Sequence, residues 1–222
     1  MGKIKRFLKS HPRLLKLLFA CYNALPFNNK IKRKRHNKVI AKGMLQRCKI
    51  IFCGKNNIVE IQDGAILRHC TVTVKGNNNK IVFKSDSYAK FANIVTEDDR
   101  NYIELGKKAS LAGKIHLACI EGTQIIIGED CLFSSEIIFR TGDSHAVTDM
   151  EGNRINPSED IVIGNHVWIG NRVIVTKGVQ IAENIIVGTG AIVTKSIWET
   201  NCAIAGVPAK IVKQNINWKH DR

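Results

Sequence analysis

The first 59 residues contain no aspartate or glutamate, although they carry 16 lysines and arginines. Residues 60–222 hold 18 basic and 19 acidic side chains, so the formal +15 divides into +16 and −1. The basic balance thus belongs to an N-terminal segment and says nothing about an active site in the body of the chain. Aromatic residues are scarce at 6%, which leaves Ile, Val, Leu and Cys to build the core. The seven cysteines, at 21, 48, 53, 70, 119, 131 and 202, include no CxxC pair and no metal-ligand spacing. Such an odd, scattered set argues against a disulfide framework and fits a reducing compartment, with most thiols acting as small inward-facing hydrophobes. No apolar run is long enough to cross a bilayer, since Lys16 interrupts the stretch 14–24. A secretory signal is not expected without a small-x-small site after a long apolar core. Arg6 stands where a myristoylation signal needs Ser or Thr.

What is present is a ladder. Ile163, Ile169, Val175, Ile181, Val187 and Val193 recur every six residues, each followed by Gly, Ala or Thr. A period of six matches neither a helix near 3.6 nor a strand at 2, but it fits a triangular solenoid with three short faces per coil. One aliphatic residue per face points inward, and the small residue beside it lets the chain turn. Upstream, Ile58-Val59-Glu60-Ile61, Lys80-Ile81-Val82-Phe83, Tyr102-Ile103-Glu104-Leu105 and Gln124-Ile125-Ile126-Ile127 recur every 22 residues. Each follows a polar turn, at Asn57, Asn79, Asn101 and Thr123. Gly54, Gly76 and the run Asn77-Asn78-Asn79 are expected to supply left-handed or tight turns. The next strand in phase is Ile161-Val162-Ile163, 36 residues after Ile125-Ile126-Ile127, so the polar segment 140–160 is predicted to protrude as an external loop. At this length one solenoid domain, residues 46–213, fits between an N-terminal segment 1–45 and a tail 214–222.

In that N-terminal segment, apolar residues from Ile4 to Phe19 alternate with lysines and arginines and are followed by the cluster 30–35. This is the composition of a basic amphipathic helix lying on an anionic leaflet. A cap over the open end of the solenoid has equal claim, because stacked coils need one. Pro12 breaks the helical run near its start. Nucleic-acid binding is not expected, as aromatic residues are not interleaved with the charges and no reading module is present.

Three segments bring a family into view: Asp160-Ile161-Val162-Ile163-Gly164-Asn165-His166-Val167-Trp168-Ile169-Gly170, Gly188-Thr189-Gly190-Ala191-Ile192-Val193-Thr194-Lys195, and Ala205-Gly206-Val207-Pro208-Ala209-Lys210. They resemble the hexapeptide-repeat acyltransferases, and among these the sugar and polysaccharide O-acetyltransferases. The match is specific over 128–212, rests on the repeats alone over 50–127, and excludes the first 45 residues. The resemblance implies an all-β, left-handed parallel β-helix, a homotrimer with sites between subunits, and acetyl-coenzyme A as donor with no metal.

The chemistry is consistent with that implication. A thioester is already activated, but a sugar hydroxyl is a poor nucleophile until its proton is removed, and a histidine is the suitable base. His145, in Thr141-Gly142-Asp143-Ser144-His145, lies on the predicted loop, where a solenoid has no structural use for it, and at the family's position for the catalytic base. Asp143 could orient the imidazole as a carboxylate does in a triad, although a backbone carbonyl would serve equally. His166, inside a rung, is expected to be structural or to face an acceptor pocket. The resemblance places Lys195, Lys210 and Lys213 near the phosphates of coenzyme A, a role that suits a flexible point charge. It places Asn171, Thr189 and Thr194 along the pantetheine groove, and the segment at Pro208 folding back beside it. Trp168 would flank the acetyl or acceptor site, with packing between subunits as the rival role.

A non-catalytic scaffold would keep the ladder but has no use for a loop histidine. A zinc hydratase would need three converging histidines, and no close pair is spaced for that. An acetyltransferase for serine, a free sugar or an antibiotic remains the alternative. The N-terminal segment instead favours a lipid-linked glycan acceptor, met at the inner face of the plasma membrane by a cytoplasmic enzyme. The sugar, its hydroxyl, the oxyanion donor and acyl groups other than acetyl stay open.

Overall fold

The computed structural model describes residues 11–25 and 28–221. The apolar and basic stretch 3–9 therefore lies outside the described residues. A single helix, α1 (Pro12–Asn23), opens the structure. Pro12 starts this helix and does not break it, because the first turn has no intrahelical use for the amide hydrogen that proline lacks.

Twenty-four short strands follow, and every third one joins the same sheet until the last. The result is a three-sided parallel β-solenoid with an eight-stranded, a seven-stranded and a nine-stranded sheet. Asn93 pairs with Thr71 on one side and His116 on the other, a rise of one 22-residue coil each way. Beyond the insertion the coil shortens to 18 residues, as in the pairing of Ile174 with Ile192. The hexapeptide ladder points inward throughout, with Ile163, Ile169, Val175, Ile181, Val187 and Val193 all buried. Cys48, Cys70, Cys119, Cys131 and Cys202 are buried among them, while Cys21 and Cys53 are exposed. Burial pushes the Cys131 thiol up to about 12, which keeps it protonated and unreactive.

The polar turns of the 22-residue repeat do more than turn. Asn37, Asn57, Asn79 and Asn101 are fully buried in a column. The Oδ1 of each accepts the backbone N–H one coil on, at 3.0, 2.8, 2.7 and 3.1 Å. Buried amides in such a ladder satisfy backbone donors that the corner leaves unpaired, each worth about 1 kcal/mol. Gly76 is left-handed as expected (φ 76), but Gly54 is not. Gly54 is required by close approach, since a Cβ there would lie 1.7 Å from the carbonyl oxygen of Gly76.

The solenoid begins before residue 46: Lys30–Lys32 already pairs with Lys49–Phe52, and Lys38–Ala41 with Ile58–Ile61. These first strands are exposed and lysine-rich because the outermost coil has a neighbour on one side only, which hides the apolar period. Asn23 ties α1 to that coil, donating to the Gly43 carbonyl at 2.9 Å and accepting from the Leu45 N–H at 2.8 Å. Among the described residues no helix is long and apolar enough to cross a membrane.

Candidate active site

The insertion leaves at the corner between the eight-stranded and seven-stranded sheets, where Ile125 pairs with Ile161 across 36 residues. Its base is built into the core. Buried Thr141 continues the asparagine column, its Oγ1 accepting from the Ile120 N–H at 3.0 Å and the Thr123 hydroxyl at 2.7 Å. The chain returns through Asp160, whose carboxylate accepts the Gln124 N–H at 2.8 Å. Between these points Arg154 grips Glu121 of the preceding coil with two bonds, 2.8 and 3.0 Å, and the Ser158 hydroxyl donates to the same carboxylate at 2.7 Å. Thr148 bridges Arg154 to form a small hairpin, turned by Asp149, which accepts the N–H groups of Glu151 and Asn153.

His145 sits on the outgoing arm of this loop, exposed, and its imidazole takes no hydrogen bond from the described residues. Its backbone is held instead, because Asn156 Nδ2 donates to the His145 carbonyl at 2.9 Å. Asp143 does not face the imidazole as a partner. Its carboxylate accepts from Lys177 Nζ at 2.6 Å and from Asn156 at 2.9 Å, and these donors hold it below the usual carboxylate range. Lys177 also donates to the Pro157 carbonyl at 2.9 Å, so one ammonium joins the outgoing and returning arms. Arg140 donates to the Ser144 hydroxyl at 2.7 Å, and Ser144 is left-handed (φ 65) at the bend before His145.

Sequence reasoning missed Lys177 and Asn156. Lys177 had a signal, since Thr176-Lys177 occupies the corner position that Thr194-Lys195 repeats one coil later. Asn156 had only the Asn-Pro pair, which marks a turn and no partner.

The expected donor-binding residues fall on two corners. Thr194 and Lys195, both exposed, lie two coils from the loop on its own corner. Asn171 and Thr189 share the corner between the nine-stranded and eight-stranded sheets: the Gly190 N–H meets the Asn171 carbonyl at 2.8 Å, and a Cβ on Gly170 would crowd Thr189. The Asn171 side chain is structural, its Oδ1 accepting from the Ser135 N–H at 3.0 Å. Pro208 follows Gly206, which receives the Ile192 N–H at this second corner. Lys210 and Lys213 lie on the strand Lys210–Gln214, which turns back antiparallel to Cys202–Ala205 at the end of the nine-stranded sheet. A single chain thus does not bring all six together.

Trp168 stands on the outer face of the nine-stranded sheet, 38% exposed, with its ring 6.1 Å from that of Trp218. The tail is not free. Trp218 is buried, stacks on His166 at 4.2 Å, and donates its Nε1–H to the His166 carbonyl at 2.9 Å. His166 and His220 both reach Asp130, at 2.8 and 3.2 Å. These bonds give His166 the structural role, pinning the C-terminus to the coil beside Trp168.

A three-sided parallel solenoid with a histidine on a braced corner insertion is the construction of the hexapeptide-repeat acyltransferases. A polysialic acid O-acetyltransferase from Neisseria meningitidis is 40% identical over 167 residues, which is 74% of this chain and 76% of that protein. One from Escherichia coli O1:K1 / APEC is 45% identical over 95 residues, 42% of this chain and 31% of the other. The crystal structure of the polySia-specific acetyltransferase NeuO superposes with a TM-score of 0.73 at 30% identity, covering 87% of this chain and 86% of its own. That of the polysialic acid O-acetyltransferase OatWY gives 0.67 at 33% identity, covering 88% and 89%. No protein-family model matches the chain. By these relatives the chain belongs to the polysialic acid O-acetyltransferase family, and it is an acyltransferase of the O-acetylating kind.

Proposed function

We propose that the protein acetylates a hydroxyl of an anionic capsular polysaccharide, with acetyl-coenzyme A as donor and His145 as general base in a direct, ternary-complex transfer. The observation that carries the reading is His145: an exposed imidazole with its ring nitrogens uncommitted, on a loop whose backbone is held by Asn156 and whose two arms are joined by Lys177. His145 accepts the acceptor's proton as the hydroxyl oxygen bonds to the thioester carbon. The carbon–sulfur bond breaks, and the proton returns to the leaving thiolate of coenzyme A. Asp143, engaged by Lys177, serves by fixing the loop.

Lys195, Lys210 and Lys213 are exposed cations suited to the donor's phosphates, and Thr194, Asn171 and Thr189 flank the path for its pantetheine arm. Because these residues occupy two corners, the groove is completed by a second subunit, in a homotrimer. Val147, Met150 and Ile155, apolar and exposed on the insertion, support contact with that neighbour. Trp168 supplies an aromatic wall for the acceptor. Leu14, Leu17 and Leu18, exposed on α1, support peripheral contact with an anionic inner leaflet. The anionic acceptor follows from the relatives, each named for polysialic acid, and suits a chain of formal charge +15.

The test is thiol release from acetyl-coenzyme A with polysialic acid, neutral polysaccharides and free sugars as acceptors. Wild type is expected to respond to the polyanion. His145→Ala is expected to lose roughly 10²–10⁴-fold in turnover with coenzyme A affinity unchanged. Turnover retained in the variant removes His145 as base, and a response to neutral acceptors alone removes the anionic substrate.

A further inference from the structure

Along the eight-stranded sheet the register stacks outward-facing residues into columns. One begins at Lys30 and passes through Lys49, Thr71, Asn93 and His116 to Ile138. A second begins at Lys32 and ends at Arg140, again with no carboxylate on the way. The columns are continuous in contact: Asn93 Nδ2 lies 3.3 Å from His116 Nδ1, and Arg140 closes the row against Ser144 of the catalytic loop at 2.7 Å. Burial first, then the charge of Arg140, depress the pKa of His116, which places that guanidinium within its field.

The carboxylates nearest this face stand at the adjoining corner. Glu97 there is paired with Lys75 at 2.9 Å, and Glu121 with Arg154. The seven-stranded sheet offers no comparable path, because Glu60 and Glu104 stand on it. The nine-stranded sheet is free of carboxylates but leads to Trp168 and away from the loop. At the basic end Lys30, Lys32 and Lys49 are exposed, and among the described residues none has an ion pair.

We propose that the outer face of the eight-stranded sheet is a track for a polyanionic glycan, which lies across it from Lys30, Lys32 and Lys49 to Arg140 and delivers a distant hydroxyl to His145. The inference rests on the function proposed above and adds to it a second contact remote from the reacting sugar. Five strand spacings separate Lys30 from the last strand of the track, about 24 Å, so only a chain of several sugar units touches both ends. The lysines hold carboxylates as mobile, salt-screened point charges, while Thr71, Thr73 and Asn93 offer hydroxyl and amide partners to the sugar ring. Past the loop the first column turns apolar at Ile174 and Ile192, which ends the track there.

The experiment compares wild type, the triple variant Lys30→Gln/Lys32→Gln/Lys49→Gln, and a control with equal charge loss on the other faces, Lys38→Gln/Lys42→Gln/Lys90→Gln. Each is assayed with long and very short polysialic acid as acceptors. Binding of a fluorescently labelled long chain is measured separately, without donor. The track variant is expected to raise KM for long chains several-fold and flatten its salt dependence. Its kcat, its KM for short chains and its thermal unfolding should stay as in wild type, and the control variant should behave as wild type. Equal effects of the two triple variants, equal effects on long and short acceptors, or unchanged long-chain binding overturn the track. So does a variant that loses only its affinity for phosphatidylserine vesicles, because the charge then serves a membrane. Long-chain binding that depends on the three lysines while no acceptor is acetylated keeps the track and sinks the enzymatic reading instead.

Discussion

Lys177 decides how firmly His145 is presented. Its side chain is only 19% exposed, and one ammonium spans the two arms of the insertion through Asp143 and the Pro157 carbonyl. Lys177→Met keeps the apolar stem and removes both bonds, so the arms separate while the coil beneath stays packed. The expected loss is about tenfold in kcat, since a base displaced by a fraction of an ångström loses orientation more than binding. KM for coenzyme A and the melting temperature should barely change, and Lys177→Arg should restore most of the turnover. Steady-state kinetics on the two variants decide it. An unchanged kcat in Lys177→Met means the loop holds its shape without the staple. The pairing was not legible in the sequence, because Asp143 lies on an insertion that shares no period with Lys177. His145 was legible for the opposite reason, as a histidine in a segment that the repeat leaves over.

For the loop as an element, the carboxylates under and along it act as one set. Glu121, Asp143 and Asp149 are all held below their usual pKa, by the Arg154 guanidinium, by Lys177, and by backbone donors from Asn153 and its neighbours respectively. A carboxylate whose folded pKa is depressed contributes stability that is fully present above its unfolded value, near 4, and lost as pH falls through the lowered one. Hydrogen exchange over 141–160 is therefore expected to hold its protection from neutral pH down to about 4 and to rise steeply below. The strands of the core should stay protected through that range. A loop that opens already between neutral pH and 5 would show that these bonds do not carry it. The sheets themselves were readable from spacing alone, since inward residues at six and at 22 fix three faces and their register. The buried asparagine column was not. Asn57, Asn79 and Asn101 look like turn formers in one dimension, and only stacking turns their amides inward. The strand Lys30–Lys32 and the seat of Trp218 were hidden for a related reason. Terminal elements pack on one side only, so their apolar pattern is sparse.

At the scale of the whole molecule, the division of donor-binding residues between two corners has a consequence for assembly. An extended pantetheine arm needs two walls. Thr194 and Lys195 line the corner that carries His145, whereas Asn171, Thr189 and Pro208 line the next. One chain presents them on opposite edges of the eight-stranded sheet, so a complete groove takes the first corner from one subunit and the second from another. Closed rings of identical chains make each such pairing heterologous and repeat it around the axis. Two inactive variants should therefore complement: His145→Ala, which damages the first corner, and Thr189→Trp, which blocks the second. Mixed after joint unfolding and refolding, they are expected to regain roughly a quarter of the sites in a randomly assorted ring, and sedimentation should show three chains per particle. If each site lies within one chain, the mixture stays inactive whatever its mass, and the two corners must then serve different ligands.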